Sequence, residues 1–138
     1  MARNLQDLLD EYASSHQNKT NQFIHSICVP AILFSILGIL WSISPWVALV
    51  AIVLSLLFYA TLSVKYTIAM IIVSIIMLAV ISVIPHIFFV SILVFVVSWI
   101  FQFYGHYLEG KNPSFLEDIQ FLLIGPLWVL KKHIFIDK

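Results

Sequence analysis

Between Phe23 and Tyr104 the chain is four apolar runs laid end to end: 23–43, 45–64, 66–84 and 87–104. A helix that crosses a bilayer needs roughly 20 mostly apolar residues, and each run is about that long. The separators are short: SISP at 42–45, VKY at 64–66 and IPH at 84–86. Each carries a proline or a charge of the kind that ends a helix. Four helices joined by such turns predict an all-α integral membrane four-helix bundle with up-down-up-down topology. Only 10% of the 138 residues are charged, against about 25% in ordinary soluble domains. The single cysteine, Cys28, excludes an internal disulfide. A net charge of zero gives no electrostatic reason to expect a nucleic-acid partner.

The two ends read differently from the middle. In residues 1–15, Leu5, Leu8, Leu9 and Tyr12 recur at helical spacing with Asp7, Asp10 and Glu11 between them. That pattern is an amphipathic helix, expected at the membrane surface. It has no apolar core followed by a cleavage site, so it is not read as a signal peptide. Near the other end, Ile119–Leu130 is apolar but too short to span, and it carries Gly125-Pro126. The segment 113–136 is expected to be interfacial or re-entrant. The whole chain, 1–138, reads as one membrane domain.

Orientation comes from the basic residues, which favour the cytoplasmic side. Lys and Arg stand at 3, 19, 65, 111, 131, 132 and 138. With four spans, all of them fall on the side that holds both termini. That side is therefore expected to face the cytoplasm, of a bacterial inner membrane or of the endoplasmic reticulum.

Polar side chains gather at two places, HQNKTNQFIH (16–25) and QFYGHYLEGKNPSF (102–115). The topology brings both to the cytoplasmic mouth of the bundle. On one continuous helix His16 and His25 would lie on opposite faces, about 13 Å apart along the axis. A break before Thr20 or Asn21, either of which suits a helix cap, would let His16 fold back. Asn18 and Asn21 are placed to orient the imidazoles by hydrogen bonds. In the second cluster Gln102, His106 and Glu109 share roughly one helical face, and His106 and Glu109 are close enough in spacing to meet one ion. Gly105 leaves room for a close neighbour, and Pro113 should stop the helix.

Spacing leaves two readings of these groups open: a metal site and a hydrogen-bonded structural network. Ionisable groups at membrane depth are costly and tend to be functional, which keeps the first in play. His86 goes to the opposite mouth and reads, like His133, as an interfacial residue. Cys28 reads as a small buried residue. Trp41, Trp46, Trp99 and Trp128 read as interfacial anchors or packing residues rather than as a substrate cage.

The two motifs together resemble those of the small membrane family typified by the fungal 2-hydroxy fatty acid dioxygenase of phytosphingosine breakdown, which also has many bacterial members. His16, Asn18, Asn21, His25 and Pro30 match the first family motif. Gln102, Phe103, Gly105, His106, Glu109 and Pro113 match the second. Lys19 stands where proline is more usual.

The resemblance implies an Fe(II)-dependent enzyme that uses O2 to cut a 2-hydroxy fatty acid by α-oxidation, leaving a chain one carbon shorter. It implies His16, His25 and His106 as metal ligands. Glu109 would be a fourth ligand or a supporting partner, with Asn18, Asn21 and Gln102 as further supporting groups. Lys19 is a candidate for attracting the substrate carboxylate. Two other functions fit the same residues: a zinc-binding membrane hydrolase, and a non-enzymatic lipid-binding membrane protein. Membrane lipids are expected partners in every case.

Overall fold

The computed structural model describes residues 5–14, 18–110 and 121–133, and among them the only regular structure is helical. The side chains of Glu11, Ser14, Phe121, Leu122 and His133 fall outside that description. Six helices follow one another among the described residues: α1 (Leu5–Ser14), α2 (Lys19–Ile43), α3 (Pro45–Ala60), α4 (Val64–Val83), α5 (Ile87–Glu109) and α6 (Phe121–His133). They form two compact units, one from residues 1–31 and 97–138, the other from residues 32–96.

Local sequence chemistry sets the helix ends. Asn18 begins α2: its side-chain oxygen accepts from the backbone N–H of Thr20 at 2.9 Å and of Asn21 at 3.2 Å. That satisfies donors which the first turn leaves without a helical partner. The cap is therefore Asn18, not Thr20 or Asn21, because the helix starts about a turn before the apolar run does. Ser44 caps α3 ahead of Pro45, accepting from the Trp46 N–H, and Ser63 caps α4, accepting from the Tyr66 N–H. Between α4 and α5 the chain turns at His86, whose φ of 54° is the left-handed region that histidine tolerates better than most side chains.

Three helices, α2, α4 and α5, are long and apolar enough to cross a membrane. The second run of the sequence is only partly helical. Helix α3 stops at Ala60 and spans 16 residues, about 24 Å at 1.5 Å per residue, short of a hydrocarbon core of about 30 Å. Thr61 ends it, donating through its hydroxyl to the Phe58 carbonyl at 2.6 Å.

Within residues 32–96, α3 packs along α4, with Ala48, Tyr59, Tyr66, Met70 and Ile81 buried. Large apolar side chains also point outward: Leu54, Leu57, Ile72 and Ile75 are each more than half exposed. Apolar surface on this scale needs a partner of its own kind, and a bilayer supplies one. Hydroxyls within these helices turn back onto their own backbone, Ser35 to the Ile32 carbonyl and Ser55 to the Ala51 carbonyl among them. In lipid, where no water is at hand, this leaves few polar groups bare.

In the other unit the apolar face of α1 is covered by protein. Leu8, Leu9 and Tyr12 are buried, α1 packs on α6, and the Tyr12 and Trp128 rings lie 5.6 Å apart. Helix α6 runs unbroken through Gly125-Pro126. Gly125 is there for packing: a Cβ on it would meet the Tyr12 hydroxyl at 3.1 Å and a Val29 methyl at 3.3 Å. The residues expected to lead into this helix, 113–120, lie outside the described residues.

Candidate functional site

The polar groups of the two sequence clusters meet where α2 begins and α5 ends. Asn21, His25, Gln102 and His106 are all buried, although each belongs to a residue class that is usually exposed or only partly buried. The centre is a pair of imidazoles. His25 Nε2 lies 3.3 Å from His106 Nε2, and the rings stand edge to face with centroids 4.8 Å apart.

One tautomer follows from the surroundings. His25 Nδ1 lies 3.2 Å from the backbone carbonyl of Asn21. A carbonyl only accepts, so His25 carries its proton on Nδ1 and turns the Nε2 lone pair toward His106. A backbone carbonyl on the far nitrogen is the usual support of a metal-binding histidine.

The helices are brought together by the absence of a side chain. A Cβ on Gly105 would fall 2.1 Å from Asn21 Oδ1 and 3.6 Å from His25 Cε1. Asn21 thus fills the notch that Gly105 leaves, one residue before His106. Among the described residues the Asn21 carboxamide and the Gln102 Oε1 are buried without a hydrogen-bond partner. The support expected from Asn21's side chain comes instead from its backbone.

The remaining expected residues divide. Asn18 caps α2 with its side chain, and its backbone N–H donates to Glu109 Oε1. Lys19 is exposed in the first turn of α2. His16 lies outside the described residues, as does the side chain of His133. His86 is exposed in the α4–α5 turn. Among the described residues no three of His, Cys, Asp and Glu come together as a metal-holding group. The histidine pair is what the described chain offers.

Sequence reasoning did not single out Gln22 and Lys132. Lys132 Nζ donates to Gln22 Oε1 at 3.2 Å and sits 5.9 Å from the centre of the Trp128 ring. This contact depends on where α6 docks, and neither residue carries a local sign of it.

Two imidazole nitrogens this close could meet one divalent ion. Two nitrogens each about 2.1 Å from one ion and at roughly a right angle lie about 3 Å apart, close to the separation seen between His25 and His106. Imidazole suits iron and zinc alike, so the pair alone does not choose between them.

Comparison with known proteins gives a consistent picture. The family model described as "2-hydroxy-palmitic acid dioxygenase Mpo1-like" matches residues 2–63 and 61–135. The chain is 31% identical over 140 residues to the 2-hydroxy-palmitic acid dioxygenase MPO1 of Saccharomyces cerevisiae, covering 95% of this chain and 80% of the yeast protein. No solved structure matches.

Proposed function

Since the chain belongs to the Mpo1-like family, we propose that it is an Fe(II)-dependent dioxygenase that shortens 2-hydroxy fatty acids by one carbon. The observation that carries this reading is the buried His25–His106 pair, with its nitrogens 3.3 Å apart. His25 and His106 hold the iron, and His16 is proposed as a third ligand. When bound, the iron supplies the activation of dioxygen that a side chain cannot.

The overall reaction balances without a further co-substrate. A 2-hydroxy acid and one O2 contain the atoms of a carboxylic acid one carbon shorter, carbon dioxide and water. The chain's own part is to bind, orient and exclude water. The Asn21 carbonyl fixes the His25 ring and its proton. Lys19, exposed at the first turn of α2, attracts the substrate carboxylate from solvent. The acyl tail lies along the apolar helices, which lets a polar head reach the histidines without drawing the tail into water.

The topology belongs to the same proposal. Four crossings, with α3 as the shortest, set both termini and the histidine pair on the cytoplasmic side, where all the basic residues then fall. A C-terminal reporter that reads out on the opposite side would overturn it.

The direct test uses purified full-length protein loaded with Fe(II) and given 2-hydroxypalmitic acid. O2 uptake is expected, with a C15 acid as product, and both should vanish in His25→Ala and His106→Ala. Iron bound at one per chain with no turnover across chain lengths would sink the assignment. Activity with zinc, independent of O2 and reductant, would replace it with hydrolysis.

A further inference from the structure

We propose that Glu109 is a positioning residue: it holds the start of α2 against the end of α5, and so sets His25 opposite His106. This rests on the reading of that pair as the reactive site. The sequence leaves Glu109 as a fourth ligand or a supporting partner of the histidines; in the structure its Oε1 accepts the backbone N–H of Asn18.

The geometry is that of a shared helix cap. In a capping box the cap side chain accepts from an N–H in the first turn, and a Glu or Gln three residues on reaches back to the N–H of the cap itself. Here Asn18 performs the first half, accepting from Thr20 and Asn21. The residue three further on is Asn21, whose side chain is committed to the Gly105 notch. The second half is supplied from another helix, by Glu109. Its negative charge also sits at the N-terminus of α2, where the helix dipole favours it.

Three contacts then tie the two helices together. Glu109 meets Asn18, Gly105 meets Asn21, and His106 meets His25. Asn18 and His25 are seven residues apart, two turns of one face of α2. His106 and Glu109 are three apart, one turn of α5. The Asn21 carbonyl that orients His25 lies in the turn that Asn18 caps. Release of Glu109 frees that turn, and with it the carbonyl that fixes the ring.

The test compares Glu109→Gln with Glu109→Ala in full-length protein, reading hydrogen exchange of the Asn18 amide and the stoichiometry and visible spectrum of bound Co(II). Gln keeps a carbonyl acceptor, so Asn18 protection and cobalt binding should stay within about twofold of wild type. Ala should lose the protection, weaken cobalt on the order of 10-fold, as loss of supporting groups does, and broaden its spectrum. If Gln loses cobalt as fully as His106→Ala while Asn18 exchange is unchanged, Glu109 is a ligand and the proposal is wrong. If Ala matches wild type in both readouts, it is wrong as well. If wild type takes up no cobalt, it is the metal reading that fails, and exchange at Asn18 still decides whether Glu109 caps α2.

Discussion

Asn21 occupies the space that a side chain at position 105 would need: a Cβ on Gly105 would stand 2.1 Å from Asn21 Oδ1. The contact lies one residue from His106 and one helical turn from His25, so the packing of a glycine controls the spacing of two imidazoles. Gly105→Ala should therefore destabilise the protein by about 1–3 kcal/mol, as overpacking does, and lower metal affinity. Asn21→Ala in the same chain empties the notch and should recover most of the lost stability. Chemical denaturation of the two single variants and the double variant measures the coupling, expected at about 0.5–3 kcal/mol. Additive effects would mean that the two residues do not compete for one space.

The two nitrogens of His25 have separate tasks, and substitution can divide them. Asparagine places an N–H close to where Nδ1 stands but has nothing at the position of Nε2. His25→Asn should keep the bond to the Asn21 carbonyl, worth about 1 kcal/mol, and lose the partner of His106. The expected outcome is a variant more stable than His25→Ala and just as empty of iron, checked by thermal unfolding and metal analysis side by side. Retention of iron by the asparagine variant would show that Nε2 is not the binding atom.

Much of this arrangement could be read from residue order, and the limits have physical causes. The apolar runs show themselves because a bilayer demands length and composition, which a sequence displays directly. The meeting of His25 with His106 followed from topology, since antiparallel spans return distant residues to one end. The start of α2 did not follow, because residues 18–22 are polar and hydropathy cannot tell a capped helical turn from a loop. The extent of α3 was hidden too: Thr61 and Leu62 form a turn and Ser63 is the extended cap of α4, although the hydropathy of this stretch allows a helix. Gly125-Pro126 suggested an interruption, yet Gly125 gives Tyr12 and Val29 room and α6 continues through both residues. Tertiary packing decides such positions.

Tyr12 gives the α1–α6 contact a dependence on pH. Burial pushes its phenol pKa up from the ordinary value, which is near 10 for an exposed tyrosine. The unfolded chain ionises near 10 while the folded chain holds its proton to higher pH. The stabilisation is therefore full below about pH 10 and is lost as pH rises beyond it. Wild type should lose stability more steeply than Tyr12→Phe above pH 10, with the two running parallel below it. Equal slopes above pH 10 would mean that the ring is not held in the folded protein as described.

Ser91 is fully buried, and among the described residues its hydroxyl has no hydrogen-bond partner. It faces Gly38, where a Cβ would lie 2.0 Å from the hydroxyl oxygen. A buried polar atom left unpaired costs about 1–3 kcal/mol, and removing it leaves a void smaller than a methyl group. Ser91→Ala should therefore be neutral or stabilise by up to about that amount, whereas most buried substitutions destabilise. The same change should soften Gly38→Ala without making it free, because that added Cβ would still meet the position 91 Cβ at 3.2 Å and Ile87 Cγ1 at 3.3 Å. Unfolding of the single and double variants in detergent measures both effects. A loss of more than about 1 kcal/mol in Ser91→Ala would mean that the hydroxyl holds a bond the folded chain depends on.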